Sequence, residues 1–179
     1  PLGHALKIGS YDGLRPWGIA LGPSRILPSA EDQSELSLAG LEVSLAPLAS
    51  LRRFQPVLQI TLHEVRGELQ ANEEGRYWTF GASNGKAELP RLGLQYKLAD
   101  PARLRFGPQR QTLELRSQGS VLLGEAFFST ESELRWVEGE GSVRLDGQGH
   151  WDRPGFRFRS RLDRLNLQPL GTVFAPSLD

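Results

Sequence analysis

From Lys86 to Asp163 apolar and polar residues alternate with a period of two, the signature of strands with one buried face. Leu92, Leu94, Tyr96 and Leu98 share one side, as do Leu104 and Phe106. The pattern continues through Leu113 with Leu115, Val121 with Leu123, Leu134 with Trp136, and Val143 with Leu145. Phe156 and Phe158 close it, interleaved with Arg157, Arg159 and Arg161. Turn signals fall between these runs at Asp100-Pro101, Gly107-Pro108, Gln118-Gly119, Glu138-Gly139, Asp146-Gly147 and Pro154-Gly155. Together they predict an antiparallel meander with an apolar and a polar face.

The first half is organised around Leu41–Arg53. Leu41, Val43 and Leu45 alternate with Glu42 and Ser44, predicting a strand. Pro47 suits the first position of a short helix, where its missing N–H is no loss. Arg52 and Arg53 suit the negative end of that helix, and Pro56 stops it before a strand over Val57–Leu62. Ile60 and Leu62 then share one parity while Val65, Gly67 and Leu69 share the other; a bulge near His63-Glu64 reconciles them. Asn72–Gly75 reads as a turn and Arg76–Phe80 as a returning strand. Residues 1–30, rich in Gly and Pro, predict short strands with tight turns, and Ser29 with Asp32 at most one helical turn. Leu165–Leu170 repeats the Leu-x-Leu-x-Pro-Leu frame of positions 43–48, with Leu for Val.

Length and composition narrow the functional classes. A chain of 179 residues can hold a sizeable core. Its 21 basic and 21 acidic residues argue against a dedicated nucleic-acid surface. With no Cys, disulfides, thiolate metal sites and a Cys nucleophile are excluded. The absence of Met and the start Pro1-Leu2-Gly3, like the scar of a cleaved tag, lead us to expect an excised fragment. No run of about 18 apolar residues is present.

Candidate chemistry is sparse. Gly81-Ala82-Ser83-Asn84-Gly85 matches G-x-S-x-G, but a nucleophile elbow needs a helix directly after the Ser, and Asn84-Gly85 is a turn signal. His4, His63 and His150 lack metal-ligand spacing. Gly139-Glu140-Gly141 and Gly147-Gln148-Gly149 flank a strand and open no helix, so no phosphate cradle follows. Arg157, Arg159 and Arg161 read as the solvated face of a strand, with anionic headgroups as the functional alternative. Trp17, Tyr77, Trp78, Trp136 and Trp151 are accounted for by packing as well as by a ligand channel.

The strand, Pro-Leu, short helix and strand, ending in Glu73-Glu74-Gly75-Arg76-Tyr77-Trp78, resembles the AsmA/TamB superfamily. Leu6–Gly9 and Gly18–Ser24 resemble the amino-terminal part of TamB-like proteins, including their plastid inner-envelope relatives. The resemblance implies a mainly β fold curled into a taco-like groove with one or two short helices. It also implies a long envelope bridge, tethered in the inner membrane by a segment outside this chain. The bridge would lie in the periplasm or an envelope intermembrane space and work with an Omp85-type outer-membrane barrel. Such proteins are associated with lipid transport, protein translocation and outer-membrane biogenesis. No catalytic residue, cofactor or metal is carried over, and an enzyme is not expected.

On that basis residues 1–80 are expected to form a strand–helix–strand plus hairpin unit, and residues 81–179 a meander continuing the same groove. The expected lining for phospholipid acyl chains is Leu92, Leu94, Leu104, Phe106, Leu113, Leu115, Val121, Leu123, Val143, Leu145, Phe156 and Phe158. Two rival functions remain open at this point: a scaffold or translocation module passing polypeptide, and a hydrolase using Ser83.

Overall fold

The structure is a computed structural model and describes residues 5–29, 33–70, 90–106, 111–139, 141–150 and 155–164. It is mainly β, a strongly curled mixed sheet forming a half-barrel groove, with one short helix. The Asn72–Phe80 hairpin, the Ser83 loop, the Gly107-Pro108 turn, Asp32 and the Leu165–Leu170 repeat lie outside the described residues.

Five successive lines of chain each contain two strands interrupted at the same level of the sheet. They are β1 (Leu6–Lys7) with β2 (Tyr11–Arg15), β3 (Gly18–Leu21) with β4 (Ser24–Ile26), and β5 (Glu35–Leu38) with β6 (Gly40–Leu45). The next two are β7 (Val57–His63) with β8 (Arg66–Leu69), and β9 (Gly93–Leu98) with β10 (Ala102–Phe106). The uninterrupted β11 (Gln111–Leu122), β12 (Phe127–Trp136), β13 (Ser142–His150) and β14 (Phe156–Asp163) follow. Each line hydrogen-bonds to the next in chain order, so both halves of the chain form one sheet. β11 carries the junction: one edge pairs with β12 along Leu113–Leu122, the other with β10 and then β9.

The sheet is mostly antiparallel, as expected, with one parallel seam. β7 runs parallel to β9, and β8 parallel to β10. Two of the expected turns are corrected, since Gln118-Gly119 lies inside β11 and Asp146-Gly147 inside β13. Glycine here serves close cross-strand packing, a use that a turn-based reading of Gly does not anticipate. Asp100-Pro101 bends the β9–β10 line without reversing it.

The shared interruption is a crease. Glu64, at φ 46°, is the extra residue that keeps Leu62 and Gly67 on one face, as the parity switch requires. The ladder is carried across by Gly22 N–H to Ser10 O at 2.8 Å, Ala39 N–H to His63 O at 3.0 Å and Ala99 N–H to Leu62 O at 2.9 Å. At Gly9 a Cβ would collide with the carbonyls of Gly22 and Pro23, so only glycine fits. The Ser24 hydroxyl, on a residue 3% exposed, accepts from Gly9 N–H at 2.9 Å and donates to Gly22 O at 3.1 Å.

α1 (Pro47–Arg53) joins β6 to β7, with Pro47 in its first turn and Arg52 and Arg53 in its last. The Ser50 hydroxyl donates to Ala46 O and accepts from Val57 N–H, both at 2.9 Å, pinning the helix to the start of β7. No residue of α1 is buried, so the helix does not cover the sheet. The buried apolar residues among those described are Ala20, Val57, Ala102, Leu122, Ala126 and Trp136. Val57 and Leu122 meet over Gly93 at the end of the sheet that carries α1.

Candidate functional site: the two faces of the curled sheet

Register places most of the apolar residues on one continuous face, while Ala20, Val57, Leu122 and Phe127 fall on the other. One row runs Leu45, Leu58, Leu94, Val121, Phe128, Gly149, Phe156 across neighbouring strands. Another runs Ala102, Leu115, Leu134, Val143, Leu162, and Leu104 pairs with Leu113, which pairs with Trp136. Ten of the expected lining residues lie on this face: Leu94, Leu104, Phe106, Leu113, Leu115, Val121, Val143, Leu145, Phe156 and Phe158. The other two sit at the sheet's end, where Leu123 opens a 3₁₀ turn (Leu123–Glu125) and its N–H donates to Leu92 O at 3.0 Å. Alternation fixes a face only while the strand lasts, and β11 ends at Leu122.

Among the described residues no second sheet or helix packs on that face. Of its larger side chains only Trp136 is buried; most are partly exposed, and Phe156, Phe158 and Leu162 on the edge strand β14 are exposed. A sheet buries one face against another layer, and here the described chain supplies none.

Within the apolar face lies a cluster of hydroxyls that alternation did not single out. The Tyr96 hydroxyl is 2.6 Å from Thr130 Oγ1 and 3.3 Å from Ser117 Oγ. Ser132 Oγ completes the cluster, 2.9 Å from Ser117 Oγ and 3.2 Å from Thr130 Oγ1. Each hydroxyl both donates and accepts, so the four groups satisfy one another and the face stays low in unmet polarity. The signal was present in the sequence as Ser117, Thr130 and Ser132 at the parity of the apolar residues, but only cross-strand register brings them to Tyr96.

The opposite face is polar. Gln59, Gln95, Ser120, Ser129, Gln148 and Arg157 form one row, and Lys97, Gln118, Glu131, Asp146 and Arg159 the next. A cavity of about 850 Å³ lies over these rows, between Gln59 and Arg159. Ion pairs span this side, including Arg15–Glu42 at 3.1 Å, Arg105–Glu68 at 3.5 Å and Arg103–Glu114 at 3.6 Å. They are partly to largely solvent-exposed, each contributing roughly 0–1 kcal/mol. Arg157, Arg159 and Arg161 fall on the polar face, as their alternation with Phe156 and Phe158 requires.

Titratable groups form no reaction centre among the described residues. His63 Nε2 is 3.8 Å from Glu42 Oε1, too long for a hydrogen bond, and His150 stacks edge-on to Phe127 at 5.2 Å. No group of three or more metal-ligating side chains occurs there. Glu138 has a perturbed carboxyl. Burial pushes its pKa up, but hydrogen bonds from Thr112, its own N–H and the charge of Arg105 together hold it below the ordinary value. The Thr112 N–H donates to Glu138 Oε2 at 2.8 Å, so this carboxylate straps the β12–β13 hairpin to the start of β11.

No family model, curated protein or solved structure matches this chain.

Proposed function

We propose that the chain is a segment of a TamB-like envelope bridge, whose apolar sheet face shields phospholipid acyl chains moving between two membranes. The observation that carries this reading is the continuous apolar face, on which no described element packs. An acyl chain of about 16 carbons exposed to water costs roughly 0.8 kcal/mol per CH₂, on the order of 13 kcal/mol in all. An apolar wall removes most of that barrier without any chemistry. β11 alone, at 12 residues, supplies a wall about 40 Å long.

The same face suits a polypeptide less well. A threading backbone would bring N–H and C=O groups against Leu and Phe side chains, each unsatisfied group costing roughly 1–3 kcal/mol. The hydroxyls that would meet it are already paired with one another.

Two experiments test the reading. Lipid extraction and native mass spectrometry of the purified chain should recover phospholipid, or show it bound after addition; reproducible absence in both overturns the proposal. A photo-crosslinker at Leu134 should capture lipid while one at Glu133, the next residue on the opposite face, should not. Capture of polypeptide at Leu134 would favour a scaffold or translocation module.

A further inference from the structure

At the end of the sheet carrying α1, two aromatic residues occupy backbone positions that ordinarily belong to glycine. Trp17, in the tight turn between β2 and β3, has φ 67°. Phe54, the C-cap of α1, has φ 52° and ψ 34°. Left-handed conformations disfavour any residue with a Cβ, and helix C-caps of this kind select Gly. Nor does either side chain gain by burial: Trp17 is 72% exposed and Phe54 93%. Leu48 and Leu51, three apart on α1, are 84% and 70% exposed.

These residues are close in the fold. The N–H of Leu45, two residues before α1, donates to Trp17 O at 2.8 Å, so the turn and the helix stand side by side at the sheet's end. Arg52 and Arg53 on the same helix are exposed and have no ion-pair partner among the described residues. Four protruding apolar side chains, one a Trp, beside two free guanidinium groups match an anionic bilayer surface. The apolar groups enter the acyl boundary and the cations meet headgroup phosphates. A protein groove accepts protruding Leu and Phe as well, but the adjacent Arg pair gives it no advantage unless it is acidic.

We propose that this end of the sheet, through Trp17, Leu48, Leu51, Phe54, Arg52 and Arg53, inserts into the headgroup region of an anionic lipid bilayer. The inference does not depend on what the apolar face carries.

The test is flotation of the purified chain with vesicles of phosphatidylcholine mixed with phosphatidylglycerol, and with phosphatidylcholine alone. The chain should float with the mixed vesicles. Replacing Trp17→Gly together with Phe54→Gly should weaken binding by about tenfold or more, while the melting temperature stays level or rises because glycine is relaxed at both positions. Arg52→Gln with Arg53→Gln should remove about tenfold of the preference for anionic vesicles and leave binding to neutral ones unchanged. Failure of the unaltered chain to float, or equal binding by the glycine variant, overturns the proposal. Lipid recovered from the vesicle-free chain would still stand as evidence for the acyl-chain reading, so the two ideas fail separately.

Discussion

The phenol of Tyr96 on β9 reaches across β11 to lie 2.6 Å from the hydroxyl of Thr130 on β12. It crosses above Gly119, where a Cβ would sit 2.7 Å from the ring and collide with the carbonyl of Ser129. A missing side chain on one strand is thus what lets two others meet. Two of the hydroxyl cluster's contacts converge on Tyr96.

Gly119→Ala is therefore predicted to destabilise the sheet by about 1–3 kcal/mol, since a carbonyl on a paired strand cannot move aside. Tyr96→Phe should cost less, about 1 kcal/mol, because Thr130, Ser117 and Ser132 can still pair among themselves. Urea melts of both single variants and the double variant measure this. A Gly119→Ala cost no greater than that of Tyr96→Phe would contradict the account.

Gly147 offers a contrast. A Cβ there would sit 2.6 Å from the Phe158 ring and 3.2 Å from Thr130 Cγ2. Phe158 lies on the edge strand and is exposed, so its ring can swing away. Gly147→Ala should cost under about 1 kcal/mol, and less still in a Phe158→Ala background. Thermal melts of the pair decide it; a large loss unrelieved by Phe158→Ala would place the constraint in the backbone.

Ser24 is predicted to hold the crease. Ser24→Ala leaves Gly9 N–H and Gly22 C=O without the hydroxyl that joins them, a loss of about 1–3 kcal/mol for groups this enclosed. Hydrogen exchange at Gly9 should accelerate by at least the corresponding factor of about 5. Unchanged exchange at Gly9 would show that the bond does not persist in solution.

The Glu138 strap should be pH-dependent. Its carboxyl pKa is lower folded than unfolded, so its contribution is present above the unfolded value of 4.5 and is lost as pH falls through the folded one. Glu138→Ala should lower the melting temperature at pH 7, and the difference from the unaltered chain should shrink below pH 4.5. Glu138→Gln keeps an acceptor for Thr112 N–H and should lie between them. Parallel curves for Glu138→Ala and the unaltered chain across that range would remove the carboxylate from the account.

Much of the fold was legible along the chain. Alternation at Leu94–Leu98, Leu113–Leu115 and Val143–Leu145 identified strands and their apolar sides, because side chains on a strand project to opposite faces in turn. Pro47 marked the start of α1, and the parity change between Leu62 and Gly67 marked the Glu64 bulge. The same reading failed at Gln118-Gly119 and Asp146-Gly147, where turn-like dipeptides lie inside long strands. Glycine's turn preference is local, and here it was overridden by the need for room beneath Tyr96 and Phe158.

By itself, then, the sequence determined the period of each segment and hence which residues share a face, since that depends only on backbone geometry between neighbours. The tertiary structure decided the rest: the parallel pairing of β7 with β9, the crease through five lines of chain, and the meeting of Tyr96 with Thr130. Those features depend on register between segments distant in sequence, and register is set by the cross-strand fit of side chains that no single strand contains.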